Sequence, residues 1–176
     1  MKIRITKRAD CGSVLSCTRA DGTVTWQRQR GKNAVFFPLH DLTHYAVEST
    51  LGHEAGFYGL VAEGWDIGDF GSPWPRGPMP DEAVTSELIV GFLDAERASG
   101  VLGTAADLNE QAALYNAEHD RASRWKALTE EDLTRVRSAS RQLIARWRAL
   151  DAGEAIELVF DVATRNRRLG GTAARD

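Results

Sequence analysis

His40-Asp41-Leu42-Thr43-His44 holds two histidines four residues apart. On a helix that spacing puts both side chains on one face, one turn apart. Both imidazoles can then reach one ion, and zinc takes imidazole nitrogens and carboxylate oxygens in a four-coordinate shell. His53 and His119 are the only other histidines in the chain. Two carboxylates lie at workable distances: Glu48, four residues beyond His44, and Glu63, with 18 residues between it and His44. His40 and Glu48 would stand about 12 Å apart along a helix axis, a long reach for one ion. Glu63 is therefore the expected third ligand beside His40 and His44. Glu48 is expected to hold the other N–H of a ligating imidazole, or to serve as the alternative ligand, with His53 a spare candidate.

Asp41 decides what chemistry such a site performs. A carboxylate directly after the first histidine can exchange a proton with a water activated by the ion. Aspartate is one methylene shorter than glutamate, and a misplacement of ~1 Å can cost ~100-fold in rate. If the chain is an enzyme, these residues define a metal-dependent hydrolase with Asp41 as general base. The expected cofactor is a divalent metal, zinc first.

These side chains need a frame. Ile3 and Ile5 alternate with Lys2, Arg4 and Thr6, the period of a half-buried strand. Val14, Leu15 and Cys17 mark a second strand, and the Asp21-Gly22 turn returns a third through Val24 and Trp26. Trp26 runs in phase with Val24 and is expected to face the core. From Pro38 the period becomes helical. Leu39, Leu42, Ala46 and Val47 form an apolar stripe, beside a polar one of His40, His44 and Glu48. Leu51-Gly52 ends this helix, and a short second helix is expected from about Glu54 to Glu63.

The four prolines and three glycines of residues 68–80 predict a long loop. Trp74 and Arg76 on it are candidate substrate contacts, because long loops in compact domains often carry function. Helices follow at about 81–98, 105–119 and 130–150. In the first, Val84, Leu88, Phe92 and Ala95 share helical spacing. The other two start at capping boxes, Thr104/Asp107 and Thr129/Asp132. Ile156, Leu158 and Phe160 alternate as a last strand. The fold expected is α+β: a small antiparallel sheet of the N-terminal meander and the C-terminal strand, packed against about five helices. Residues 1–164 read as one domain and 165–176 as a polar, flexible tail.

The segment from Phe37 to Glu48, continued by Gly56-Phe57-Tyr58-Gly59-Leu60-Val61-Ala62-Glu63-Gly64-Trp65, resembles a group of small uncharacterised bacterial proteins. That likeness spans about the first 70 residues and implies no activity. More loosely, a sheet followed by an HDxxH helix and then Glu63 resembles the gluzincin branch of zinc peptidases. This implies His40, His44 and Glu63 as ligands and Asp41 as base, and departs from the family's HExxH at Asp41.

Composition narrows the alternatives. The 176 residues, 43% hydrophobic and 27% charged, fit a soluble globular protein. No leader or apolar run long enough to span a membrane is legible, so the expected location is cytoplasmic, without a membrane partner. Cys11 and Cys17 are expected to be reduced thiols. The net charge of −3 argues against a globally basic nucleic-acid binder. Residues 1–32 nonetheless carry eight basic side chains against Asp10 and Asp21. The alternative to the metal reading is thus a non-catalytic interaction or nucleic-acid-binding protein that uses the basic sheet. With Trp26 inward, that sheet would lack the aromatic platform of single-strand binders, so nucleic acid is the disfavoured partner. A small molecule or a peptide fits the metal reading better. The arginines of the 130–150 helix (Arg135, Arg137, Arg141, Arg146 and Arg148) offer a second partner surface.

Overall fold

Alternation and turn chemistry in the first thirty residues produce β1 (Lys2–Lys7), β2 (Ser13–Thr18) and β3 (Val24–Gln29). The structure, a computed structural model, describes residues 1–71, 74–119 and 125–161. The tail expected over 165–176 lies outside these residues. A final strand, β4 (Ala155–Val159), pairs antiparallel with β1, giving the sheet order β3-β2-β1-β4. Ile3, Ile5, Leu15, Cys17 and Ile156 are buried on one face of that sheet. Cys11 and Cys17 are free thiols.

Among the described residues five α-helices accompany the sheet: α1 (Phe37–Leu51), α2 (Phe57–Ala62), α3 (Asp81–Ser99), α4 (Ala105–Glu118) and α5 (Glu130–Ala149). The fold is therefore α+β. Helix α1 is central. Its Leu39, Leu42 and Ala46 join the sheet-side core with Leu143, Ile144 and Trp147 of α5, while Val47 joins a second core with Ile89, Val90 and Leu93 of α3. Packed on several sides, α1 also buries Asp41, Thr43, His44 and Glu48. Buried polar groups must find partners, so these residues impose polar contacts on whatever packs against them.

Both predicted capping boxes form, at Thr104/Asp107 and Thr129/Asp132. The Thr129 hydroxyl accepts from the Asp132 amide at 3.1 Å, filling a donor that the first turn of α5 cannot satisfy internally. Thr129→Ala is expected to lower stability by about 1 kcal/mol. A urea titration giving no midpoint shift would contradict that assignment.

Two local expectations are corrected. Trp26 points outward and is 65% exposed, with Val24 beside it, while Thr25 and Gln29 are buried. The hairpin register explains this, because Cys17 faces Thr25 and Ser16 faces Trp26, so the inward Cys17 takes Thr25 inward with it. The outer sheet face thus does carry an aromatic ring beside basic side chains. Two of those bases are already committed, Arg4 to Glu157 and Arg28 to Asp10.

The second correction concerns α2, which starts at Phe57 rather than Glu54. The Glu54 and Ala55 amides instead donate to the Glu82 carboxylate of α3. Helix α3 forms as its spacing predicted, burying Ile89, Val90 and Leu93 in the core while Ala83, Val84 and Leu88 line a cavity.

Candidate metal centre

The one-turn spacing of His40 and His44 brings their rings to 4.7 Å between centroids, edge to face. Neighbouring aromatics hold them from both sides: Phe36 stacks on His40 at 5.1 Å, and Phe57 lies against His44 at 5.4 Å. Each ring then uses its two nitrogens for different work. On His40, Nδ1 lies 2.8 Å from Asp94 Oδ2, and Nε2 lies 4.0 Å from Glu87 Oε1. On His44, Nδ1 lies 3.3 Å from Glu48 Oε1, and Nε2 lies 3.0 Å from Glu87 Oε2. Both Nε2 atoms therefore turn to one carboxylate, and both Nδ1 atoms are held by others. His40, His44 and Glu87 offer ligand atoms within 4.8 Å of one another, a group that could hold a metal ion.

The supporting carboxylates are themselves tied down. Glu48 is fully buried, and its Oε2 accepts from the amides of Tyr58 at 2.9 Å and Gly59 at 3.3 Å, at the start of α2. Gly56 lets that contact form, since a Cβ there would come within 2.5 Å of the Glu48 carboxyl carbon. Asp94 accepts from Arg97 at 2.7 Å through its second oxygen. Carboxylates on both nitrogens make this a place for positive charge. Burial disfavours a charged His44, but Glu48 and Glu87 outweigh it and push the imidazole up to about 10. Hydrogen bonding to His44 holds the Glu87 carboxyl below its ordinary value. Burial opposes ionisation of Asp94, yet His40 and Arg97 hold its carboxyl below the usual range as well.

Asp41 lies outside the three-residue group, but it lines the same cavity. Its Oδ2 accepts from Gln29 Nε2 at 2.7 Å, and Gln29 Oε1 in turn accepts from the Ser13 hydroxyl. Burial pushes the Asp41 carboxyl up to about 6, although the Gln29 bond favours the ionised form.

Glu63 is not in the group. It is the exposed C-cap of α2, at the far end of the helix from the start that Glu48 holds. Glu87 on α3 takes the place expected for it. His53 is likewise elsewhere, with Nδ1 2.7 Å from Ser86 Oγ. Arg76 turns away to Asp69 at 2.6 Å and the Gly64 carbonyl at 3.0 Å, whereas Trp74 lines the cavity. Glu87 and Asp94 were not singled out from sequence. Their one legible signal is a seven-residue separation, two helical turns, which puts both acids on one side of α3 facing the histidines.

The group opens onto a cavity of about 550 Å³ between α1, α3 and the loop residues Ile67, Phe70, Gly71, Trp74 and Met79. No helix among the described residues is long and apolar enough to cross a membrane. Comparison with protein-family models, curated proteins and solved structures finds nothing that matches this chain. Fold and site together define an α+β protein with a His–His–Glu group in which His44 is buried and Glu87 exposed, and its function must be argued from that geometry.

Proposed function

We propose that this protein binds a divalent ion, zinc first, on His40, His44 and Glu87, and that the site serves a hydrolase. The observation that carries this reading is the division of labour within each imidazole. Nδ1 is oriented by a carboxylate while Nε2 points to the shared acidic group, the arrangement that metal-ligating histidines adopt. Two nitrogens and a carboxylate suit zinc, and three protein donors leave a fourth position open, as a catalytic site requires. An ion bound there would supply Lewis acidity toward a carbonyl and toward water. Asp41 is the group that would take the proton. Its carboxyl reaches the cavity wall, Gln29 fixes its orientation, and burial brings its proton affinity close to neutrality, where a general base works best.

Metal analysis of the purified protein, before and after chelation, tests the binding half. About one equivalent of zinc lost to chelator and regained on reloading is expected; a preparation that takes up no divalent ion sinks the proposal. For the catalytic half, Asp41→Asn should retain the ion and hydrolyse a panel of esters and amides at least ~100-fold more slowly than the unaltered protein. Unchanged turnover in that variant would remove Asp41 as the base.

A further inference from the structure

We infer that the substrate of this site is a small neutral molecule with an apolar body, large enough to include an aromatic ring, and a single polar, carbonyl-type head. This inference rests on the metal-site reading above and deepens it. The cavity volume of about 550 Å³ falls within the range that encloses small organic ligands. Its walls are mainly apolar, with Gln27 of β3 and Tyr115 of α4 the uncharged polar side chains among them. Phe37 of α1 and Phe57 of α2 stand on one side, Val84 and Leu88 of α3 on another, and Phe70 and Trp74 border it from the loop. The histidines and carboxylates of the lining are not dispersed over these walls. His40, Asp41 and His44 lie within one helical turn and a residue of each other, and Glu87 meets both imidazoles.

Charge completes the argument. No lysine or arginine is among the described lining residues, whereas Asp41 and Glu87 both are. Glu48 and Asp94 stand directly behind the imidazoles. Arg97 already pairs with Asp94, and one divalent ion would be taken up by the remaining carboxylates, so no cation lines the cavity to compensate a second anionic group on a substrate's body. A phosphorylated or polycarboxylate substrate would meet a wall with no lysine or arginine to pair with, a costly burial. An apolar body gains instead from the area it removes from water, and aromatic walls favour a ring. Trp74, 46% exposed at the rim, is placed to cover such a body.

Binding of three hydroxamic acids to the zinc-loaded full-length chain, measured by calorimetry, separates this inference from the site it depends on. Acetohydroxamic and benzohydroxamic acid carry the same metal-seeking head, and 4-carboxybenzohydroxamic acid adds a charge to the ring. Benzohydroxamic acid should bind about 10-fold or more tighter than acetohydroxamic acid, and the carboxylated form should lose most of that gain. Trp74→Ala and Leu88→Gln should shrink the ratio severalfold at unchanged zinc stoichiometry; the first alters an exposed side chain, so its effect cannot be a failure to fold. Zinc uptake with equal affinity for all three compounds overturns the substrate class and leaves the metal site standing. A preference that survives in both variants overturns it too, because the ring would then be bound elsewhere. A chain that takes up no zinc overturns both readings.

Discussion

His44→Ala is expected to weaken zinc binding by more than about 100-fold, beyond the ~10–100-fold that follows loss of a partner that merely orients a ligand. The argument is positional. His44 is buried, its Nε2 lies 3.0 Å from Glu87, and no other described imidazole than His40 stands near enough to replace it. Glu87→Ala should have an effect of the same order. Asp94→Asn should cost less, within the range for an orienting partner, because His40 keeps its place against Phe36. Glu63→Ala and His119→Ala should change nothing. His119 is exposed at the end of α4, its Nδ1 2.8 Å from the Tyr115 carbonyl, and Glu63 is an exposed helix cap. Competition against a chromogenic chelator measures all five variants. Equal affinity in His44→Ala and His119→Ala would end the metal reading; an effect of Glu63→Ala with none from Glu87→Ala would exchange the third ligand.

Glu48→Ala should be among the most destabilising substitutions in the chain, costing about 3–5 kcal/mol, the scale on which breaking a buried charged pair operates. Three donors lose their acceptor at once: His44 Nδ1 and the amides of Tyr58 and Gly59. None of the three can turn to water, because His44, Tyr58 and Gly59 are all buried. The truncation also leaves a void beside Gly56, whose missing side chain makes room for the carboxylate. Measured against a typical domain stability of about 5–15 kcal/mol, the loss is a large fraction of the whole. Glu48→Gln, which keeps the volume and one acceptor oxygen, should cost clearly less. A chemical denaturation curve for Glu48→Ala shifted by under about 1 kcal/mol would show that the carboxylate does not hold α1 and α2 together.

Much of this architecture is written in local sequence, because the forces that set it act within a few residues. The alternation of Ile3 with Ile5, the glycine after Asp21, the Gly52 stop and the capping threonines 104 and 129 all specify backbone conformation on the spot. The pairing of His40 with His44 is local too, since one helical turn separates them. Other features depend on which surfaces meet. Whether Trp26 faces core or solvent follows from the hairpin register with β2, which binds Ser16 and Trp26 to the same face. The carboxylate that meets the histidines is 43 residues beyond His44 and is chosen by the packing of α3 on α1. Sequence spacing pointed to Glu63 because it measures distance along the chain. A ligand group is defined by distance through space, and there Glu48 holds the start of α2, the C-cap Glu63 at its other end meets solvent, and α3 brings Glu87 and Asp94 to the two rings.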